Sequence, residues 1–219
     1  MIHFLSLEEN SLMKTPLGRP LENLPSNLIA AIEHEMSQLK QVKLQKNRAR
    51  PLYQMAAQAI DNIAFNPSLT IIELVGFLKT DTLLYICPTD PAIYQKQQEI
   101  WFPIHQWFKD HLGIIIPLSE TIAPPALSGA ILSGIETYLK SQSIFSLSGI
   151  QAATHIAHSL LIAILINESA LDADNAFKAS LLEELTQNEK WGTDELAQTR
   201  QDQILEDLKV IEGYFGVLG

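Results

Sequence analysis

The sequence predicts an α+β protein that is mostly helical, with a small N-terminal β domain followed by a larger α-helical domain. Three observations carry this reading. Short apolar runs broken by Pro16, Gly18 and Pro20 occupy the first two dozen residues. From Ser26 onward apolar residues recur at the three- and four-residue spacing of a helix face. Hydrophobic residues make up 47% of the 219 and charged residues 18%, a balance that favours a packed core over a disordered chain. The division is placed at residues 1–25 for the β element and 26–219 for the helical domain.

In chain order, Ile2 to Leu7 and Leu12 to Thr15 read as short strands about a turn at Glu8, Glu9 and Asn10. Leu28, Ile29, Ile32, Met36 and Leu39 then share one helix face behind Ser26, a suitable N-cap. Pro51 opens a second helix, lined by Met55, Ala56, Ala59, Ile60 and Ile63, and Asn66-Pro67 opens a third through Phe77. Thr80 to Cys87 fits a strand or a helix end equally well. Asp90-Pro91 joins a capping carboxylate to a preset φ and predicts a helix to Phe108, bent at Pro103. Ile114, Ile115 and Ile116, between Gly113 and Pro117, predict one additional short strand near 113–117. Pro124 is expected to open the next helix. Ser148 and Gln151 form a capping-box pattern, after which Ile150, Ala153, Ala157, Leu160, Leu161 and Ile164 predict one buried central helix. Asp172 and Asp174 begin a helix that ends at Gly192, and Thr193, Asp194 and Glu195 begin a last one through Tyr214.

Charge and composition exclude several functions. The formal net charge is −10, which argues against nucleic-acid binding because phosphate affinity needs many Lys and Arg contacts. The acidity is concentrated from Asp172 onward, whereas Lys40, Lys43, Lys46, Arg48 and Arg50 stand together without an acid and predict a loosely packed segment. A lone cysteine, Cys87, allows no internal disulfide and no thiolate zinc site, and fits a reducing compartment. The N-terminus lacks signal- or transit-peptide character, so a bacterial cytoplasmic location is expected. Ile150 to Ile166 is interrupted by Gln151, Thr154, His155, His158 and Ser159, too polar for membrane insertion.

No side-chain pattern points to catalysis. His155 and His158 could share a helix face, which is the feature a metal-dependent hydrolase would use. They lack the Glu and the four-residue spacing of a zinc-protease helix, so structural histidines on a buried helix are expected, with no bound metal. Glu33-His34-Glu35 reads the same way, and Cys87 reads as a buried thiol. Glycine-rich phosphate loops and the G-x-S-x-G elbow are absent from the sequence. No enzyme activity, cofactor or small-molecule substrate is therefore expected. Trp101, Phe102 and Trp107 read as core aromatics.

Three blocks together resemble the ATP-twelve chaperone family: Lys14-Thr15-Pro16 with Leu21 to Pro25, then Thr80 to Tyr85 with Gln97, Trp101, Pro103 and Trp107, and lastly Leu182 to Trp191-Gly192. The chain departs from the family pattern at Met36, where a Trp follows the first-helix Glu, at Phe102, where an Asp precedes the Pro, and at Ile86, where an Arg follows the Tyr. The resemblance implies a small β domain followed by a helical one. It further implies an assembly chaperone, a holdase that binds the free F1-ATPase alpha subunit and prevents its aggregation until the beta subunit arrives. Glu184 is implied as the functional acidic residue, with Gln187, Trp191, Gly192 and Asp194 beside it as the partner-binding set. Glu184 is expected to lie partly exposed near the C-terminal end of its helix, where the dipole opposes a carboxylate. A helical adaptor or regulator with an unrelated protein client is the alternative.

Overall fold

The computed structural model describes residues 13–21, 24–41 and 51–219. Among them the chain is almost entirely helical: α1 (Ser26–Gln41), α2 (Pro51–Asp61), α3 (Pro67–Leu78), α4 (Pro91–Leu112), α5 (Gly129–Lys140), α6 (Ile144–Ala157), α7 (Leu160–Asn167), α8 (Ala173–Ser180), α9 (Leu182–Trp191) and α10 (Glu195–Leu218). Single 3-10 turns at Ile63–Phe65 and Thr82–Leu84 join neighbouring helices.

The expected N-terminal β domain is not seen among the described residues. Among the described residues no strand ladder forms; only two isolated bridges occur, Lys14 with Pro20 and Tyr85 with Ser119. The expected strand at Ile2 to Leu7 lies outside the described residues. The second shrinks to a turn, because Pro16 and Pro20 supply no amide for a ladder and Gly18, at φ 79°, reverses the chain. This turn is pinned to α2. Thr15 Oγ1 donates to Asp61 Oδ1 at 2.7 Å and the Leu17 amide to Asp61 Oδ2 at 3.2 Å. Arg19 adds hydrogen bonds to the Ile60 and Asp61 carbonyls and lies over the Phe65 ring at 3.8 Å. The cationic segment ahead of α2 falls largely on residues 42–50, outside the described residues.

Helix starts follow their caps. Asp90 accepts from the Ala92 and Ile93 amides at 3.0 and 3.2 Å ahead of Pro91, and α4 runs four residues past Phe108 before Gly113, at φ 67°, ends it. Pro103 is accommodated inside that helix. α5 starts at Ser128, whose hydroxyl caps it, and not at Pro124. Residues 113–117 form no ladder; burial nevertheless alternates through Ile114, Ile115 and Ile116, with period two.

α6 and α7 form the centre. Every residue from Leu160 to Ile166 is buried, and α6 packs against α2, α7 and α10. The predicted single helix is broken in two, because His158 takes a left-handed conformation at φ 50° and Ser159 caps α7 through the Ile162 amide at 3.1 Å. The predicted capping box is also displaced. Ser143 is the cap of α6, while Ser148 is buried within it and donates to the Met55 carbonyl at 2.8 Å.

Asp81 holds the break in place. One oxygen accepts from the Leu83 amide and the other from the Leu161 amide, each at 3.1 Å, so one carboxylate ties the Thr82–Leu84 turn to the start of α7. Burial pushes its pKa up to about 6, against the amides and the Ser159 hydroxyl that favour the charged form.

Candidate functional site

The residues implicated by sequence gather on the α9–α10 hairpin. Glu184, Gln187 and Trp191 stand three and four residues apart on α9, the spacing of one helix face, while Leu182 and Thr186 are buried on the opposite side. Gly192, at φ 83°, ends the helix, and Asp194 caps α10 by accepting from the Ala197 amide at 2.8 Å. The joint is apolar at its tip. Trp191 is 77% exposed and Leu196, on the first turn of α10, is 84% exposed.

Glu184 does not sit where sequence placed it. The helix expected to run from Asp172 to Gly192 breaks at Leu181, so Glu184 falls in the first turn of α9. There the positive end of the helix dipole favours a carboxylate, typically by about 0.3–1 kcal/mol, and the expected conflict disappears. It is partly exposed and lies against both C-terminal helices. One oxygen accepts from the Gln201 amide at 2.7 Å and the other from the Arg200 guanidinium. Partial burial works against the charge, but Arg200 and Gln201 outweigh it and hold the pKa below the ordinary carboxylate value. The pair closes the open end of the hairpin. Lys96 to Glu189 at 2.6 Å and Lys190 to Asp90 at 3.4 Å then fasten α9 to α4, each an exposed bridge of small worth.

Sequence reasoning missed Leu196 and Arg200. Leu196 was visible as an apolar residue between Glu195 and Gln198 in an otherwise polar first turn, whereas nothing local marks Arg200 as the partner of Glu184.

The other candidates are placed apart from this site. His155 and His158 lie exposed, not buried: His155 contacts Glu73 at 3.2 Å and stacks edge-on with Phe77, and His158 makes the α6–α7 break. No group of three metal-ligating side chains occurs among the described residues. Cys87 is half-buried, its amide donating to Gln97 Oε1 at 2.8 Å. No helix among the described residues is long and apolar enough to cross a membrane.

Comparison with known proteins agrees with this architecture. The profile of the ATP12 chaperone protein family matches residues 5–109. The protein atp12, mitochondrial, of Schizosaccharomyces pombe is 25% identical over 211 residues, spanning 88% of this chain and 71% of its own length. Over these spans the chain is similar to the ATP12 chaperone family. A second ATP12 protein, the mitochondrial one of Saccharomyces cerevisiae, is 24% identical over 222 residues, 82% of this chain and 68% of the yeast protein. The crystal structure of Atp12 from Paracoccus denitrificans shares the fold, with a TM-score of 0.84 and 24% identity over 94% of this chain and 88% of that one.

The ATP12-like motif residues of the first two blocks prove to be structural. Thr15 anchors the N-terminal turn on Asp61. Gln97 is fully buried and bonds Tyr85 and Cys87, and Trp101 is buried with its indole N–H donating to the Ala179 carbonyl at 2.9 Å. Glu35 accepts from the Leu52 and Tyr53 amides at the start of α2, both at 3.0 Å. Of the three blocks, the third stands apart by exposing an aromatic residue.

Proposed function

We propose that this chain is a holdase for the free F1-ATPase alpha subunit, covering its aggregation-prone surface until the beta subunit displaces it, and that the α9–α10 hairpin is the contact. The observation that carries the reading is the exposure of both Trp191 and Leu196 at a joint where Asp194 caps α10. Large aromatics exposed on rigid elements are typical anchors of protein interfaces, and an isolated soluble domain gains nothing from leaving one in water. Similarity to a chaperone family supports the class of function, and the alpha subunit follows from the sequence resemblance.

In this reading Trp191 and Leu196 enter an apolar depression on the alpha subunit, while Glu184, Gln187 and the backbone at Gly192 provide polar contacts around it. Glu184 is already engaged by Arg200, so a basic client group shares or takes over that carboxylate. Release needs only that the beta subunit cover the same surface with higher affinity. No reaction centre is required.

Co-expression with a tagged alpha subunit tests this. Trp191→Ala should lower the co-purified fraction by an amount corresponding to about 2 kcal/mol or more. Glu184→Lys should also weaken retention, while Glu206→Lys on α10 should not. Full retention by Trp191→Ala would remove the hairpin as the contact, and no retention by the parent chain would remove the alpha subunit as the client.

A further inference from the structure

On the far side of α4 from α9, a groove of about 220 Å³ runs between that helix and residues 115–118. Phe102, His105 and Lys109 form one wall, and Ile115 and Leu118 the other. Ile115 is 69% exposed between the buried Ile114 and Ile116. The run has the alternation and β-branched composition of a strand, yet its backbone is unpaired. Among the described residues the amides of Ile115, Ile116 and Leu118 reach no acceptor, and the carbonyls of residues 114 to 118 receive no donor.

The open edge has a definite side. Ser119 donates to the Leu84 carbonyl at 2.7 Å and accepts from the Ile86 amide at 2.9 Å. Strand alternation places Pro117, which has no N–H, on that same edge and leaves Ile116 and Leu118 with both their amides on the other. A free edge of this kind is a template for a further strand.

His105 and Lys109 line the groove. His105 Nε2 lies 2.9 Å from the Leu83 carbonyl and must donate to it, so Nδ1 bears a lone pair; that atom is buried and has no partner among the described residues. Lys109 makes no ion pair among the described residues, in a chain of net charge −10. It is the groove's one cation and favours a carboxylate.

We propose that the edge at residues 115–118 binds an extended polypeptide segment by strand addition, the segment being apolar and carrying an acidic side chain that meets Lys109. This is a second protein-binding surface, separate from the α9–α10 hairpin and independent of which protein the hairpin holds.

The test uses the full chain and a fluorescein-labelled, end-blocked peptide of alternating valine and threonine with one central aspartate, followed by anisotropy. The same peptide with alternate amides N-methylated on the pairing edge should bind roughly tenfold more weakly or worse, because only backbone pairing is removed. Ile115→Lys should lose binding to a similar degree with an unchanged melting temperature. Lys109→Glu should weaken the aspartate peptide several-fold and prefer its lysine counterpart, a reversal that simple misfolding cannot produce. Leu69→Lys, an exposed change on α3, should bind like the parent. No peptide binding by the parent, or equal binding of the unmodified and N-methylated peptides, overturns strand addition. Sedimentation showing a dimer that Ile115→Lys dissociates overturns the assignment of the edge to a foreign segment and gives it to a second copy.

Discussion

Two consecutive helix pairs, α6–α7 and α9–α10, are each joined by a short break, and they place polar and apolar groups in opposite ways. At the α6–α7 joint the polar groups are inside and satisfied: Asp81, Ser159, Ser148 and Thr154 are all buried, and each has a hydrogen-bond partner. At the α9–α10 joint the apolar groups are outside, with Trp191 and Leu196 in water. A buried polar group left unpaired costs about 1–3 kcal/mol, so the first arrangement fixes one conformation of the core. Exposed apolar groups contribute little to folding. The first joint serves stability, whereas the exposed side chains of the second do not.

The contrast predicts a wide spread of effects. The largest belongs to the centre. Ile164→Ala on α7 should destabilise by about 2–5 kcal/mol, since no neighbouring loop can collapse into the space. A urea midpoint shift below that of a surface change would break the comparison.

Asp81 sharpens it through pH. Its pKa of about 6 in the folded chain stands above the ordinary aspartate value of 3.8, so folding takes up a proton between those values. The stability this group contributes is fully present below about pH 4 and is lost as pH rises through 6, a span on the order of 3 kcal/mol. Melting temperatures of the parent, compared with Asp81→Asn from pH 7.5 down to 4.5, should shift in the parent's favour as the pH falls. A constant difference would show that the amide bonds outweigh burial.

Gly149→Ala is expected to be smaller, at about 1–3 kcal/mol, from overpacking. An added Cβ would stand 2.6 Å from the Phe215 ring and 3.1 Å from that of Tyr214, on the face where α6 meets α10. The smallest effect belongs to the hairpin tip. Trp191→Ala should change stability by no more than about 0.5 kcal/mol in the same urea titration, whatever it does to client retention.

How much of this was legible depended on whether a break carried a local mark. Asn66-Pro67, Asp90-Pro91, Asp172 and Asp194 announce their helices because a cap or a Pro is a short-range signal, and each helix begins beside them. The breaks at His158 and Leu181 were hidden, since the apolar period continues through both. At the first, the Ser159 hydroxyl was a readable cap, but the Asp81 carboxylate that completes it comes from 80 residues away in sequence. At the second, no cap bonds the start of α9, and only the adjacent acids Glu183 and Glu184 hinted at a new first turn. Missing it put Glu184 at the wrong end of a helix. The N-terminal turn failed differently. Met13 and Leu21 do face the core while Leu17 is exposed, and two prolines and one left-handed glycine leave no run of amides long enough to pair. The candidate set rests on resemblance alone, whereas the exposure of Trp191 and the tie of Glu184 to Arg200 are tertiary facts.

The three tryptophans give the molecule an optical property. Trp101 is sealed in the core, Trp107 is stacked on His111 at 4.6 Å, and Trp191 alone stands mostly in solvent. A collisional quencher such as acrylamide therefore reaches one indole first and removes the red side of the emission. A protein that seats itself on the hairpin withdraws that indole from water, shifting the spectrum to the blue and shielding it from the quencher. Client capture is thereby readable in real time on the unlabelled chain.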